Sequence, residues 1–445
     1  MRVGFRAQRG TAQTFCPSLA AWLAALALGC APQAPGPLGA PAPASVPKKA
    51  ASPEPGPPSK TATSKSRQLL ANEKSPPARP ALPWRDQAGS PQAPSRLEAD
   101  LAALLNLCGR GDEALHQVAR WHAVQSAAGR SEALELFDDA QFQLRRRGSP
   151  YVSPRLWSAI ATTSANEEML DSVRTWAQQS PLGEVRCGVG RSVQGEQSVI
   201  TLLQVDVLAD VLPLATRVVS GAPIQLEARL LTPATSVSLV ALPPGGSPVT
   251  RPTTLRGENV RAKLFIDQPG TWTLQLMGTF SGGPRPIAQI LLAADAELAE
   301  HSHQGRVPGE QAVANDGDDP AARLYAMLLS ARAELGYPPL QRNRTLDRVA
   351  EQHSRAMQRA GRLAHDLGQG NPTVRVASAG VRARASGENV ARAGSVARLH
   401  RALWNSPSHR ENLLLRRWDE TGLAVVEQEV ENGTLLYATQ LFIDR

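Results

Sequence analysis

Gly387-Glu388-Asn389-Val390-Ala391 and, further on, Trp404-Asn405-Ser406-Pro407-Ser408-His409-Arg410-Glu411-Asn412-Leu413 decide the reading of the last quarter of this chain. Around them the apolar pattern alternates between helix and strand. Asp319-Pro320 precedes a helix carrying Leu324, Leu328, Leu329 and Arg332, which ends at Gly336 and Pro338-Pro339. A second helix is expected from about Thr345 to Gly361. Leu346, Val349, Ala350, His353 and Met357 share one face of it at steps of three and four. His365 falls just past its end, after Leu363-Ala364. A third helix covers Val396 to Trp404. Gly422 to Val426, and Leu435 to Ile443 with Gln440, read as two closing strands.

Imidazole and carboxylate are the side chains that bind zinc and that move protons near neutral pH. His365 and His409 are distant in sequence, so only a fold brings them together. Two His plus Glu388 offer a divalent-metal site with an open position, or a general-base pair acting on water. A structural reading stays equally open. In it His409, Arg410 and Asn412 hold a loop by hydrogen bonds, and Glu388 pairs with His365. His353, on an apolar helix face, reads as a satisfied core histidine. No Ser or Cys nucleophile stands in a recognisable context.

With these blocks in order, Arg332…Leu335-Gly336…Pro339-Leu340, His353…Met357, His365, Gly387 to Ala391, Trp404 to Leu413 and Gln440, residues 321–445 resemble a CAP domain. This is the superfamily of cysteine-rich secretory proteins, antigen 5 and plant pathogenesis-related proteins, here in its bacterial branch. The resemblance implies an α-β-α sandwich with a cleft lined by two His and one or two Glu. By that match His365, Glu388 and His409 are the cleft residues, and His365 and His409 are the metal ligands if zinc binds. Asn405 or Ser406 stands where relatives have a second Glu. The disulfides of the eukaryotic relatives are absent, because the domain has no Cys.

The rest of the chain bounds where such a domain works. The 445 residues carry a net charge of +8, but the excess lies in the first 95 residues and residues 96–445 balance to zero. A basic folded face for nucleic acid is therefore not expected. Arg2, Arg6 and Arg9, an apolar run from Ser18 to Gly29, and Ala27-Leu28-Gly29-Cys30 form a signal peptide (1–29) of lipoprotein type. In that reading Cys30 is acylated and holds the chain in a membrane, the outer one where two exist. Ordinary cleavage with Cys30 as a bystander is the other reading. Residues 30–95 are Pro-rich and almost without large apolar side chains, the composition of a disordered tether or linker. Cys108 and Cys187 remain, to pair in an oxidising compartment or to stay as buried thiols.

Residues 96–210 read as a mainly helical domain ending in a strand. His116 and His122 there have no acidic residue at ligand spacing. A degenerate copy of the C-terminal fold is a further reading of this region, without a motif to establish it. Residues 211–297 alternate, as in Ile224, Leu226, Ala228 and Leu230, and read as an immunoglobulin-like antiparallel sandwich. Residues 298–320, with His301 and His303, read as a linker. The expected function is an exported CAP-domain protein that binds a lipid, a metal or a cell-wall component through the His/Glu cleft. The other class is a metal- or His/Glu-dependent hydrolase of the cell envelope.

Overall fold

The structure is a computed structural model that describes residues 85–89, 97–129, 133–161, 167–178, 183–195, 197–298, 300, 306–312, 319–430 and 433–445. The signal peptide, Cys30, the Pro-rich segment to residue 84 and the pair His301 and His303 lie outside them. Among the described residues no helix is long and apolar enough to cross a membrane.

After a two-residue strand β1 (Gln87–Ala88), the N-terminal lobe begins with α1 (Ala99–Cys108) and β2 (Arg110–Gly111). Then follow α2 (Glu113–Ala127), α3 (Ala133–Arg146), β3 (Arg155–Ala161), α4 (Glu167–Ala177), β4 (Glu184–Gln194) and β5 (Gln197–Val207). The strands form a sheet in the order β2-β4-β5-β3. The region is thus a mixed lobe, where a mainly helical one was expected. The missed strand β4 carries Gly188 because α2 lies directly on it. A Cβ at Gly188 would stand 2.1 Å from the backbone of Leu115. Cys108 and Cys187 are joined by a disulfide that fastens the end of α1 to β4.

The central region contains β6 (Ala209–Val211), β7 (Leu214–Ala215), β8 (Arg217–Val218), β9 (Pro223–Leu230) and β10 (Ser236–Leu242). It continues with β11 (Val249–Arg256), β12 (Asn259–Phe265), β13 (Gly270–Phe280) and β14 (Gly283–Ala294). The strand order is β6-β9-β12-β11-β10-β13-β14-β8, and β7 pairs with β1. Strand β11 changes partner halfway. Val249–Pro252 pairs with β10 and Thr253–Arg256 with β12. The sheet so turns back on itself, and Leu226, Val260 and Leu264 from one layer pack with Leu239, Trp272, Leu276 and Ile290 from the other. The two-residue period seen in the sequence is the alternation of these inward residues with outward ones.

The C-terminal domain is built from α5 (Pro320–Glu334), β15 (Gln341–Arg342), α6 (Arg344–Ala360), α7 (Pro372–Ser378) and β16 (Ala385–Ala393). It ends with α8 (Val396–Asn405), α9 (Pro407–Leu414), β17 (Glu420–Val430) and β18 (Gly433–Asp444), with sheet order β15-β17-β18-β16. On one face α6 packs Leu346, Val349 and Ala350 against Ala424, Leu441 and Ile443. On the other, Leu324, Leu328, Leu399, Leu403 and Trp404 cover Leu423, Leu436 and Phe442. The three layers are helix, sheet, helix.

The two end domains repeat one topology. Both run from a helix through a two-residue strand into two further helices, then lay down an edge strand and, after one helix in the N-terminal lobe and two in the C-terminal domain, a long hairpin. Strand orders and directions coincide: β2 on β4 and β15 on β17 are parallel, the other pairs antiparallel. Local chemistry coincides too. Asp112 caps α2 by accepting from the Leu115 amide, and Asn343 caps α6 by accepting from the Leu346 amide. Gly422 meets α6 at Leu346 as Gly188 meets α2 at Leu115, its Cβ position lying 2.2 Å from Leu346 Cβ. The N-terminal lobe thus shares the strand order and strand directions of the C-terminal domain.

Candidate functional site

Strand β16 carries Glu388 into the protein, where its side chain is 0% exposed. Burying a carboxylate requires a partner for each oxygen. One oxygen, Oε1, accepts from His365 Nδ1 at 2.8 Å. The other, Oε2, accepts from the Arg375 guanidinium at 2.6 Å. Arg375 comes from α7, a helix whose start is set by Asn371, which caps it, and Pro372 in its first turn. The same guanidinium donates to the carbonyls of Gly370 and His365. It therefore holds both the carboxylate and the loop that presents the imidazole.

His353 holds that loop from below. Its Nε2 is 2.8 Å from the Ala364 carbonyl, which can only accept, so Nε2 carries the proton. Burial pushes its pKa down, against the pull of Glu388. His353 is thus a buried core histidine but not the satisfied one expected, and its one ring hydrogen bond pins the residue before His365. Its buried Nδ1 has no hydrogen-bond partner.

His409 sits in the first turn of α9. Amide side chains fasten that turn to β16. Asn389 donates to the His409 carbonyl at 3.1 Å, and Asn412 donates to Asn389 Oδ1 at 2.9 Å. Gln440 from β18 accepts from Asn389 at 3.4 Å. The His409 ring itself makes no hydrogen bond to the described residues. Burial first, and then the charge of His365, lower its pKa to about 4, so it is neutral at ordinary pH. His365 is bonded to Glu388, and His409 lies within electrostatic reach of His365. Asn405, where a second Glu was sought, is exposed and supplies no carboxylate.

The donor set does not fit a divalent metal. Glu388 is committed to His365 and neutralised by Arg375, and a cation there would face the guanidinium. One nitrogen of His365 and the His409 ring are left. No group of three or more His, Cys, Asp or Glu able to hold a metal occurs among the described residues.

Arg375 is the site residue that the sequence reading missed. Its only local signal was the Asn371-Pro372 helix start inside a segment read as loop. The N-terminal lobe carries no carboxylate at the matching strand position. Glu388 pairs with Leu441, which pairs with Gly422. In the repeat, Leu156 pairs with Leu203, which pairs with Gly188. Leu156 therefore occupies the Glu388 position. His122 stands as far from its cap as His353 does from its own, and its Nδ1 lies 3.1 Å from the Thr201 hydroxyl.

The sequence profile of the CAP family, described as the cysteine-rich secretory protein family, matches residues 326–442. No curated protein matches the chain. Among solved structures, an outer surface protein of Borrelia burgdorferi is similar at 24% identity over 27% of this chain and 90% of its own, with a TM-score of 0.25. An extracellular protein containing an SCP domain from Bacillus anthracis is similar at 15% identity, over 54% and 83%, with a TM-score of 0.26. A cysteine-rich secretory protein of Staphylococcus aureus is similar at 13% identity, over 50% and 76%, with a TM-score of 0.24.

Proposed function

We propose, from the premise that residues 326–442 are a CAP domain, that the chain is an exported protein, tethered to a membrane at Cys30. In this proposal it binds a ligand in the cleft of that domain. The observation that carries binding over catalysis is the commitment of Glu388. Both its oxygens are taken, one by His365 and one by Arg375. The side chain is 0% exposed, so the carboxylate faces these two partners and not the solvent from which a metal or an attacking water would come. What the cleft offers is the free nitrogen of His365 and the uncharged ring of His409. Such groups suit hydrogen bonds to hydroxyl and amide functions, the chemistry of wall glycans and peptides or of lipid headgroups. Export is supported by the leader sequence and by the Cys108–Cys187 disulfide, a bond that persists in oxidising compartments.

One observation favours the hydrolase reading. A His365 that donates from Nδ1 to Glu388 keeps a lone pair on Nε2, the orientation of a general base. The two readings separate in one experiment. The mature chain, with isotope-labelled histidine, is titrated with soluble muropeptides and, separately, with phosphatidylcholine vesicles. Binding predicts saturable shifts of the His365 and His409 ring resonances with one of these probes, lost in His409→Ala. Release of cleaved muropeptide, abolished by His365→Ala, would favour the hydrolase instead. Unmoved resonances with both probes and no cleavage would overturn both readings.

A further inference from the structure

The seam between the β-sandwich and the CAP domain passes beside His409, through hydrogen bonds to Ser408, Arg410 and Glu411. Helix α9, which carries His409, lies against the outward face of β10 and β13. At the open end of β10 the outward residue Ser236 is exposed. Further along, Val240 and Leu242 point the same way, yet are 2% and 7% exposed. On β13 the outward Gln275 is 2% exposed. None of the three belongs to the sandwich core, so their burial comes from what lies on top of the sheet.

The hydrogen bonds of the seam bracket the cleft histidines. Gln275 Oε1 accepts from the Ser408 amide at 3.0 Å. Arg410 donates to the Gly246 carbonyl at 3.4 Å, and Thr250 donates to Glu411. Those three CAP residues flank His409 on both sides. Ser247 and Tyr337 share a hydroxyl hydrogen bond of 2.8 Å nearby. At the other end, the turn from β13 to β14 brings Gly283 beside His365, where a Cβ would stand 3.6 Å from His365 Cβ.

We propose that the β-sandwich is the lid of the CAP cleft. In the closed arrangement, α9 and the β13–β14 turn leave His365 and His409 half-buried, and a ligand larger than a few atoms reaches both only when the seam parts. The seam suits this part. It joins hydrogen bonds with the buried apolar side chains Val240 and Leu242, the polar and apolar mixture of interfaces across which domains move. The lid deepens the binding reading, but its test needs no ligand.

The mature full-length chain is labelled with diethyl pyrocarbonate, and each histidine is followed by mass spectrometry. In the wild type, His365 and His409 should react about tenfold more slowly than acetylhistidine, the ratio for a seam closed by about 1.4 kcal/mol. In Gln275→Lys, whose ammonium lands against α9, both should approach the free rate. His116, His353 and His400, at 6%, 0% and 1% exposure, should stay unlabelled and so report that the domains are folded. Val240→Asp tests the same seam if the first variant labels those three as well. Wild-type rates equal to acetylhistidine, or unchanged rates in a folded seam variant, would overturn the lid. A lid without any ligand-induced shift would leave this proposal standing and sink the binding reading alone.

Discussion

Replacing Arg375 by Met asks how far the buried carboxylate of Glu388 depends on its guanidinium. The Glu388 side chain is 0% exposed and that of Arg375 is 7% exposed. The guanidinium bonds to Glu388, to the Gly370 carbonyl and to the His365 carbonyl. Without it, the carboxylate keeps only its bond to His365. Removing one partner of a buried ion pair costs about 3–5 kcal/mol. A loss of about 4 kcal/mol is nearly a thousandfold in an opening equilibrium. Hydrogen exchange read by mass spectrometry resolves this by segment, which suits a chain of several domains. Amide protection in α7 and β16 should fall by about a thousandfold, and that of β9 and β12 should not change. The double variant Arg375→Met/Glu388→Gln should recover most of the protection, since no unpaired buried ion remains. A fall smaller than about tenfold in the single variant, or no recovery in the double, would refute mutual charge compensation as what holds the site.

The low pKa of His409 sets a pH window. Its folded value, about 4, lies below its ordinary 6.5. The unfolded chain therefore binds the extra proton first, and the stabilisation present above about pH 6.5 is lost as pH falls towards 4. Burial of His353 and His400 acts in the same direction. Unfolding of the CAP domain followed between pH 7 and pH 4, against a His409→Gln variant with a shallower slope, checks this. Reducing the Cys108–Cys187 bond closes off a sequence separation of 79 residues no longer, and should destabilise the N-terminal lobe by about 4.5 kcal/mol on the chain-entropy model, read by exchange in α1 and β4. Gly188→Ala and Gly422→Ala should each cost about 1–3 kcal/mol or more, because helix backbone occupies the Cβ position. Gly282→Ala, with nothing near its Cβ, should be silent in the same denaturation series. Cys30→Ser should move the chain from the detergent phase to the aqueous phase on partitioning. A chain that stays with the detergent would remove the lipid anchor.

The C-terminal domain was legible because its signals are local and dense. Asn343 caps α6 and Gly361 ends it in the left-handed conformation, so its bounds were set by two residues. His365, Glu388 and His409 were named together only through the resemblance, since nothing local connects His365 with His409. Helices α7 and α9 were not expected. At 7 and 8 residues they open on a proline but end before an apolar period can show. The Arg375–Glu388 pair links a helix missed in this way to a strand, and no spacing rule anticipates it. Strand β14 fails the alternation test for a different reason. Ile290, Leu291, Leu292, Ala293 and Ala294 are all buried, because its outward face is covered as well as its inward one. Strand β4 was hidden by glycines that exist to let α2 approach.

The disulfide of the N-terminal lobe also decides how the chain carries tension. A pull that enters from the N-terminal side and leaves through the C-terminal domain reaches Cys108, crosses to Cys187, and goes on along β4. The segment between the two cysteines lies outside the load path. That stretch, fully extended, would add about 270 Å to the molecule, and while the bond stays oxidised none of this length can be drawn out. With the bond closed, the N-terminal lobe passes tension on from α1 to β4 without lengthening by that stretch.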